Sequence, residues 1–162
     1  MPKQPITQWI SVGLVTLAAC PAMAWGPATQ RTVVSAAGHV FSRNTSIPLN
    51  NLIEYVHQGA SISGEEEDAL FPEFGVDPVR TIQRDMYLLQ GVRSDRVDPY
   101  YAYRLGALGK KVTQFAAPLR NSNASLRDRY YRDVEGIIEG VRLLAGQSTM
   151  VEPQLYFGRL SG

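Results

Sequence analysis

The chain has 162 residues, 44% of them hydrophobic and 19% charged. That is enough for one domain with a buried core, and too apolar for a disordered segment. A formal net charge of +1 supplies neither the basic footprint of a nucleic-acid binder nor a polyacidic tail. One cysteine, Cys20, cannot close an internal disulfide, and two histidines, His39 and His57, are few for a site with several metals.

Residues 1–24 read as an export signal and stand apart from fold reasoning. Lys3 supplies the positive start. The apolar run from Ile10 to Ala19 is about ten residues long, short of the roughly 20 that span a bilayer as a helix. Ala22-Met23-Ala24 is the small-x-small pattern of a signal peptidase site, so cleavage leaves Trp25 as the first residue. Lys3 is the only charged residue in this segment, and its removal leaves a neutral chain. Leu17-Ala18-Ala19-Cys20 also fits a bacterial lipobox, in which Cys20 is lipidated and tethers the chain to a membrane surface. The first reading gives a periplasmic or secreted protein and the second an outer-envelope lipoprotein; a retained N-terminal anchor is the third. Membrane contact is expected only if Cys20 carries lipid.

Helical periodicity organises the rest. A first helix is expected from about Thr29, its cap, to Phe41, with Val33, Ala37, Val40 and Phe41 on one face. A second spans about Pro48 to Gln58, striped by Leu49, Leu52, Ile53 and Val56 and stopped by Gly59. From Ser63 to Leu70 the run Glu65, Glu66, Glu67, Asp68 suits a short solvated helix capped by Ser63, with acids in the first turn. A calcium loop is the sharper reading of these acids, but they lack its ligand spacing and its glycine. A third main helix opens at Asp77-Pro78, carries Val79, Ile82, Met86 and Leu89, and ends at Gly91. The fourth opens at Asp98-Pro99 with the clearest stripe of the chain: Tyr101, Leu105, Leu108, Val112, Phe115 and Leu119. Its Gly106 and Gly109 cost about 1 kcal/mol each against alanine, and let another helix approach closely. The fifth begins near Ser125, with Asp128 as capping-box partner and Leu126, Tyr130, Val134, Ile137, Val141 and Leu144 as its apolar face.

The expected fold is all-α: a single antiparallel bundle of about five helices behind a signal peptide. Residues 25–146 form the helical domain. Residues 147–162 form a C-terminal tail that packs back on the body or makes an edge.

Trp25-Gly26-Pro27-Ala28-Thr29-Gln30, followed by an apolar helix, resembles the mature start of the zinc-dependent phospholipase C and single-strand-specific zinc nuclease superfamily. Members commonly open with Trp-Gly, a short turn and a histidine. Their N-terminal amine and first carbonyl bind zinc, so signal cleavage itself builds the site. Members also carry a Leu-Gly start, then H-x-x-x-D, then a proline and a histidine two residues on. Here Leu105-Gly106-Ala107-Leu108 precedes Lys110, Gln114, Pro118 and Arg120. The resemblance places Lys110 and Gln114 at the histidine and aspartate, Arg120 at the last histidine, and Gln30 at the histidine after Trp25-Gly26. Arg127 or Arg129 falls where a further histidine is expected. It covers roughly Trp25 to Ala37 and Gly106 to Glu139.

These substitutions bear on the chemistry that the resemblance implies. Zinc needs N, O or S lone pairs and an open position for water. Lysine and arginine are cationic at neutral pH, and glutamine is a poor zinc ligand. Trp25, Gln30, Lys110, Gln114, Arg120 and Arg127 are therefore expected as former metal-ligand positions in a non-catalytic relative without a cofactor. Such a cationic pocket suits a phosphate, carboxylate or envelope component. The plainer reading has these cations pair with Asp128, Asp133, Glu135 or Glu139, or face water. Asp85, near Arg80 and Arg84, is expected in helix-surface ion pairs.

Two rivals stand beside this reading. One is an active zinc-dependent phosphodiester hydrolase that uses His39, His57 and further acids. The other is an unrelated lipid-anchored bundle with Cys20 as its anchor. No G-x-S-x-G, P-loop or dinucleotide fingerprint occurs. The tyrosine–arginine runs at Tyr100–Arg104 and Arg127–Arg132 suit a polyanion surface. The neutral mature chain argues against nucleic acid as the main ligand.

Overall fold

The structure, a computed structural model, describes residues 25–45, 49, 51–92, 96–141, 143 and 153–161. The signal and Cys20 readings, Pro48 and Leu144 lie outside the described residues. The elements are α1 (Pro27–Thr45), α2 (Ile53–Ala60), α3 (Gly64–Leu70), α4 (Pro78–Gln90), α5 (Pro99–Phe115), α6 (Ala124–Ile137), a 3₁₀ turn (Ile138–Gly140) and α7 (Pro153–Ser161). The all-α expectation holds, with seven α-helices among the described residues rather than about five. The acidic segment and part of the tail each add one.

Local caps account for three of the helix starts. The Ser63 side chain accepts from the Glu66 N–H, and the Glu66 carboxylate returns to the Ser63 N–H, completing a capping box. Asp77 accepts from Arg80 N–H and Asp98 from Tyr101 N–H, each followed by a proline that needs no partner for its nitrogen.

α5 is the axis of the fold. It packs most extensively on α2, where Gly106 faces the Val56 carbonyl and Gly59 faces the Tyr103 carbonyl. Neither position has room for a side chain, so two backbones meet directly. Gly59, expected as a stop, thus lies inside α2 and serves packing. Gly109 admits Val34 of α1. Val34, Leu49, Val56, Ala60, Tyr101 and Ala102 form one buried cluster. Ile82, Leu108, Phe115 and Phe157 form another, so α7 packs back on the body through Phe157.

Several boundaries differ from expectation. α1 starts at Pro27 and runs on to Thr45. α2 starts only at Ile53, because Leu49 and Leu52 form a preceding turn, with Leu52 N–H donating to the Leu49 carbonyl. α5 ends at Phe115. Pro118 cannot donate to a continuing helix, and Leu119 turns into the left-handed region at φ 60. Leu119 therefore leaves the stripe.

α6 is capped by Asn123, whose side chain accepts from Ser125 N–H; the expected Ser125–Asp128 box is not its start. Its inward face is also rotated from the expected one. Tyr131 and, just beyond the helix, Ile138 are buried, whereas Leu126 and Ile137 are 54% and 63% exposed and Tyr130 and Val141 also reach solvent. Tyr131 and Glu135 are one turn apart on one face, and Glu135 is held by α1. That anchor sets the rotation of the helix.

Candidate functional site

The corner between α1 and α6 is built around an uncapped helix end. α1 has no acid in its first turn, and its leading N–H groups need acceptors. Glu135 arrives from α6 to supply them. Its carboxylate accepts from Ala28 N–H at 2.7 Å, Thr29 N–H at 3.0 Å and the Thr29 hydroxyl at 2.6 Å. A carboxylate at a helix N-terminus also suits the helix dipole. Burial alone would raise the Glu135 pKa; the Thr29 hydroxyl, the two N–H donors and Arg31 outweigh it and hold the carboxyl below its ordinary value. A methyl group on Gly26 would stand 2.2 Å from the Glu135 carboxyl carbon and would push that side chain off its present seat.

Trp25 and Gln30 meet at the same corner. The Gln30 side-chain amide donates to the Trp25 carbonyl at 2.8 Å. The Trp25 ring lies 6.3 Å from that of Tyr131, tilted by 50°, and the Tyr131 hydroxyl donates to the Pro118 carbonyl at 2.9 Å. Burial pushes the Tyr131 phenol up, against the opposing pull of Arg127, the Trp25 indole and Arg120. The indole N–H is near enough to Tyr131 to act on it electrostatically. It is nevertheless buried without a partner of hydrogen-bonding geometry among the described residues.

The structure thus places Trp25, with Gln30 on its carbonyl, beside Tyr131 and within the electrostatic reach of Arg120 and Arg127, while Lys110 lies apart. Arg120 donates to the Phe115 carbonyl at 3.1 Å and lies over the Phe115 ring at 4.4 Å. Arg127 pairs with its neighbour Asp128 at 3.1 Å, one of the partners expected for it. Lys110 points elsewhere, donating to the Ile62 carbonyl at 2.7 Å and pairing with Glu67 at 2.6 Å. Gln114 is half-buried one turn further along α5.

Glu67 corrects the solvated reading of the acidic run. It is turned inward, with Lys110 on one carboxylate oxygen and Lys111 on the other. Lys111 also lies 4.2 Å from the centre of the Phe74 ring, a cation–π contact beside the ion pair. Glu66 is used in the capping box, so these acids diverge instead of converging on a cation. Asp85 is a second correction. It is 2% exposed, not a surface acid, and it accepts from Arg104 of α5 at 2.6 Å and from Arg84 at 3.2 Å. Glu135, an expected ion-pair partner, instead accepts from two backbone N–H groups and the Thr29 hydroxyl.

The residues present do not fit the zinc that the resemblance implies. The Trp25 carbonyl is occupied by an amide donor, and the helix position one turn before Gln114 holds an ammonium group already paired. His39 is exposed on α1. His57 Nδ1 lies 4.0 Å from Glu54, and its Nε2 is buried without a hydrogen-bond partner among the described residues. Among the described residues no three His, Cys, Asp or Glu side chains come together as a metal site.

A second feature had no signal in the sequence. A half-open hollow of about 590 Å³ lies among α1, α4, α5 and α7. Val34, Ala37, Leu105, Leu108, Val112 and Phe157 are among its walls, and Gln90 and Tyr101 are the residues of its described lining whose side chains carry a hydrogen-bonding N or O. A recess of about 370 Å³ adjoins it, sharing Leu89, Val92 and Tyr101, and contains Asp85, Arg96, Asp98 and Arg104. Comparison with protein-family models, curated proteins and solved structures matches nothing.

Proposed function

We propose that this chain is an exported, non-catalytic protein on a phospholipase C-like helical fold, acting by binding an anionic small molecule or envelope component. The observation that carries the reading is the Gln30–Trp25 hydrogen bond. In the family that the chain resembles, that first carbonyl serves zinc; here a neutral side-chain amide five residues along the chain satisfies it. Charge supports the zinc-free part of this reading. Lys110, Arg120 and Arg127, at the other inferred ligand positions, each have a protein acceptor, and a dication beside them would meet repulsion.

Elemental mass spectrometry of protein incubated with zinc and freed of excess tests this directly. The expected result is no stoichiometric metal and no hydrolysis of phosphodiester or phospholipid substrates. Stoichiometric zinc with chelator-sensitive hydrolysis overturns it.

A further inference from the structure

We propose that the hollow among α1, α4, α5 and α7 binds a single-chain anionic amphiphile, specifically a long-chain carboxylate, with its tail inside and its headgroup on Arg96. The inference rests on the reading that the chain acts by binding, and needs no relationship to phospholipases. Its size falls within the range of about 300–1,000 Å³ usual for small-molecule sites. Its walls offer water almost no hydrogen bonds, so an apolar guest is favoured there over solvent.

The adjoining recess says which end of the guest is charged. Of the four ionic groups in its described lining, three already have partners. Asp85 and Arg104 pair with each other at 2.6 Å, and Asp98 accepts from Tyr101 N–H at 2.7 Å as the cap of α5. Arg96 is exposed and has no ion-pair partner among the described residues. An apolar slot adjoined by a cation that has no ion-pair partner among the described residues matches a hydrocarbon chain bearing one negative charge. Arginine adds geometric fit, since its planar fork takes both oxygens of a carboxylate. A neutral alkane would leave that cation unused.

The test is titration of hexadecanoate and of hexadecanol into delipidated protein expressed from the full 162-residue chain. Hexadecanoate is expected to bind saturably at one per chain. Arg96→Glu should weaken hexadecanoate by about tenfold or more and leave hexadecanol unchanged. Ala37→Trp, at an exposed position on the wall of the hollow, should remove both while the helical circular dichroism is kept; Val112→Phe serves if that variant does not fold. Three results overturn the proposal: no saturable hexadecanoate binding, binding unaffected by the plugged variants, or Arg96→Glu acting equally on acid and alcohol. Binding of another anionic ligand, or only of two-chain phospholipid vesicles, also overturns it while leaving the broader binding reading intact. Zinc-dependent hydrolysis would remove that broader reading instead.

Discussion

Gly106 of α5 lies so close to the Val56 carbonyl of α2 that a methyl group added to it would stand 2.0 Å from the oxygen. The obstruction is backbone, which cannot rotate away as a side chain does. Gly106→Ala is therefore expected to destabilise the fold by about 1–3 kcal/mol or more, despite alanine's better helix propensity. Gly109→Ala is the control. There the neighbour is the Val34 side chain at 3.0 Å, which can give by a few tenths of an ångström. Urea denaturation of the two variants should separate them clearly, with Gly106→Ala much the weaker protein. Equal midpoints would mean the α2–α5 crossing is looser than described.

The Glu135 carboxylate makes stability depend on acid. Its pKa is lower in the folded chain than in the unfolded one, so the unfolded state takes up protons first. Its contribution is complete above about pH 4.5 and is lost as pH falls through the folded value. Glu67 is depressed in the same direction: burial opposes its charge, but Lys110 and Lys111 outweigh it. Glu135→Gln should lower stability near neutral pH and flatten the decline below about pH 4.5, without removing the share due to Glu67. Urea midpoints from pH 3 to 7 for both proteins check this. Parallel curves would sink the assignment.

Two lysines on one buried carboxylate make an asymmetric triad. Glu67→Ala leaves Lys110 and Lys111 buried without their anion and should cost about 3–5 kcal/mol. Lys111→Met removes the surplus cation, keeps the Lys110–Glu67 pair and leaves an apolar chain against Phe74. It should cost far less. Thermal unfolding of the two variants measures the difference, and a larger loss for Lys111→Met would show that the cation–π contact dominates.

What could be read from the chain alone follows the reach of each interaction. Ser63, Asp77 and Asp98 cap N–H groups within three residues, so the starts of α3, α4 and α5 were legible. Gly106 and Gly109 announced close helix approach by lacking side chains. The rotation of α6 was not legible, because Glu135 is fixed by donors more than a hundred positions away, and a stripe of apolar residues cannot weigh one carboxylate. Glu67 and Asp85 were read as surface acids because their partners Lys111 and Arg104 lie on another helix. In the candidate site, the resemblance groups Trp25 with Gln30, and the two meet. The resemblance groups Lys110 with them too, yet Lys110 pairs with Glu67 of α3.

The seat of Trp25 against Tyr131 also gives the protein a built-in optical reporter. The other tryptophan, Trp9, belongs to the leader-like segment, so Trp25 is the single indole of residues 25–162. Its emission therefore comes from one place, the joint where the first helix is clasped by the sixth. Undocking of that joint would release the ring to water and shift its fluorescence to the red, before any loss of helix registers in circular dichroism.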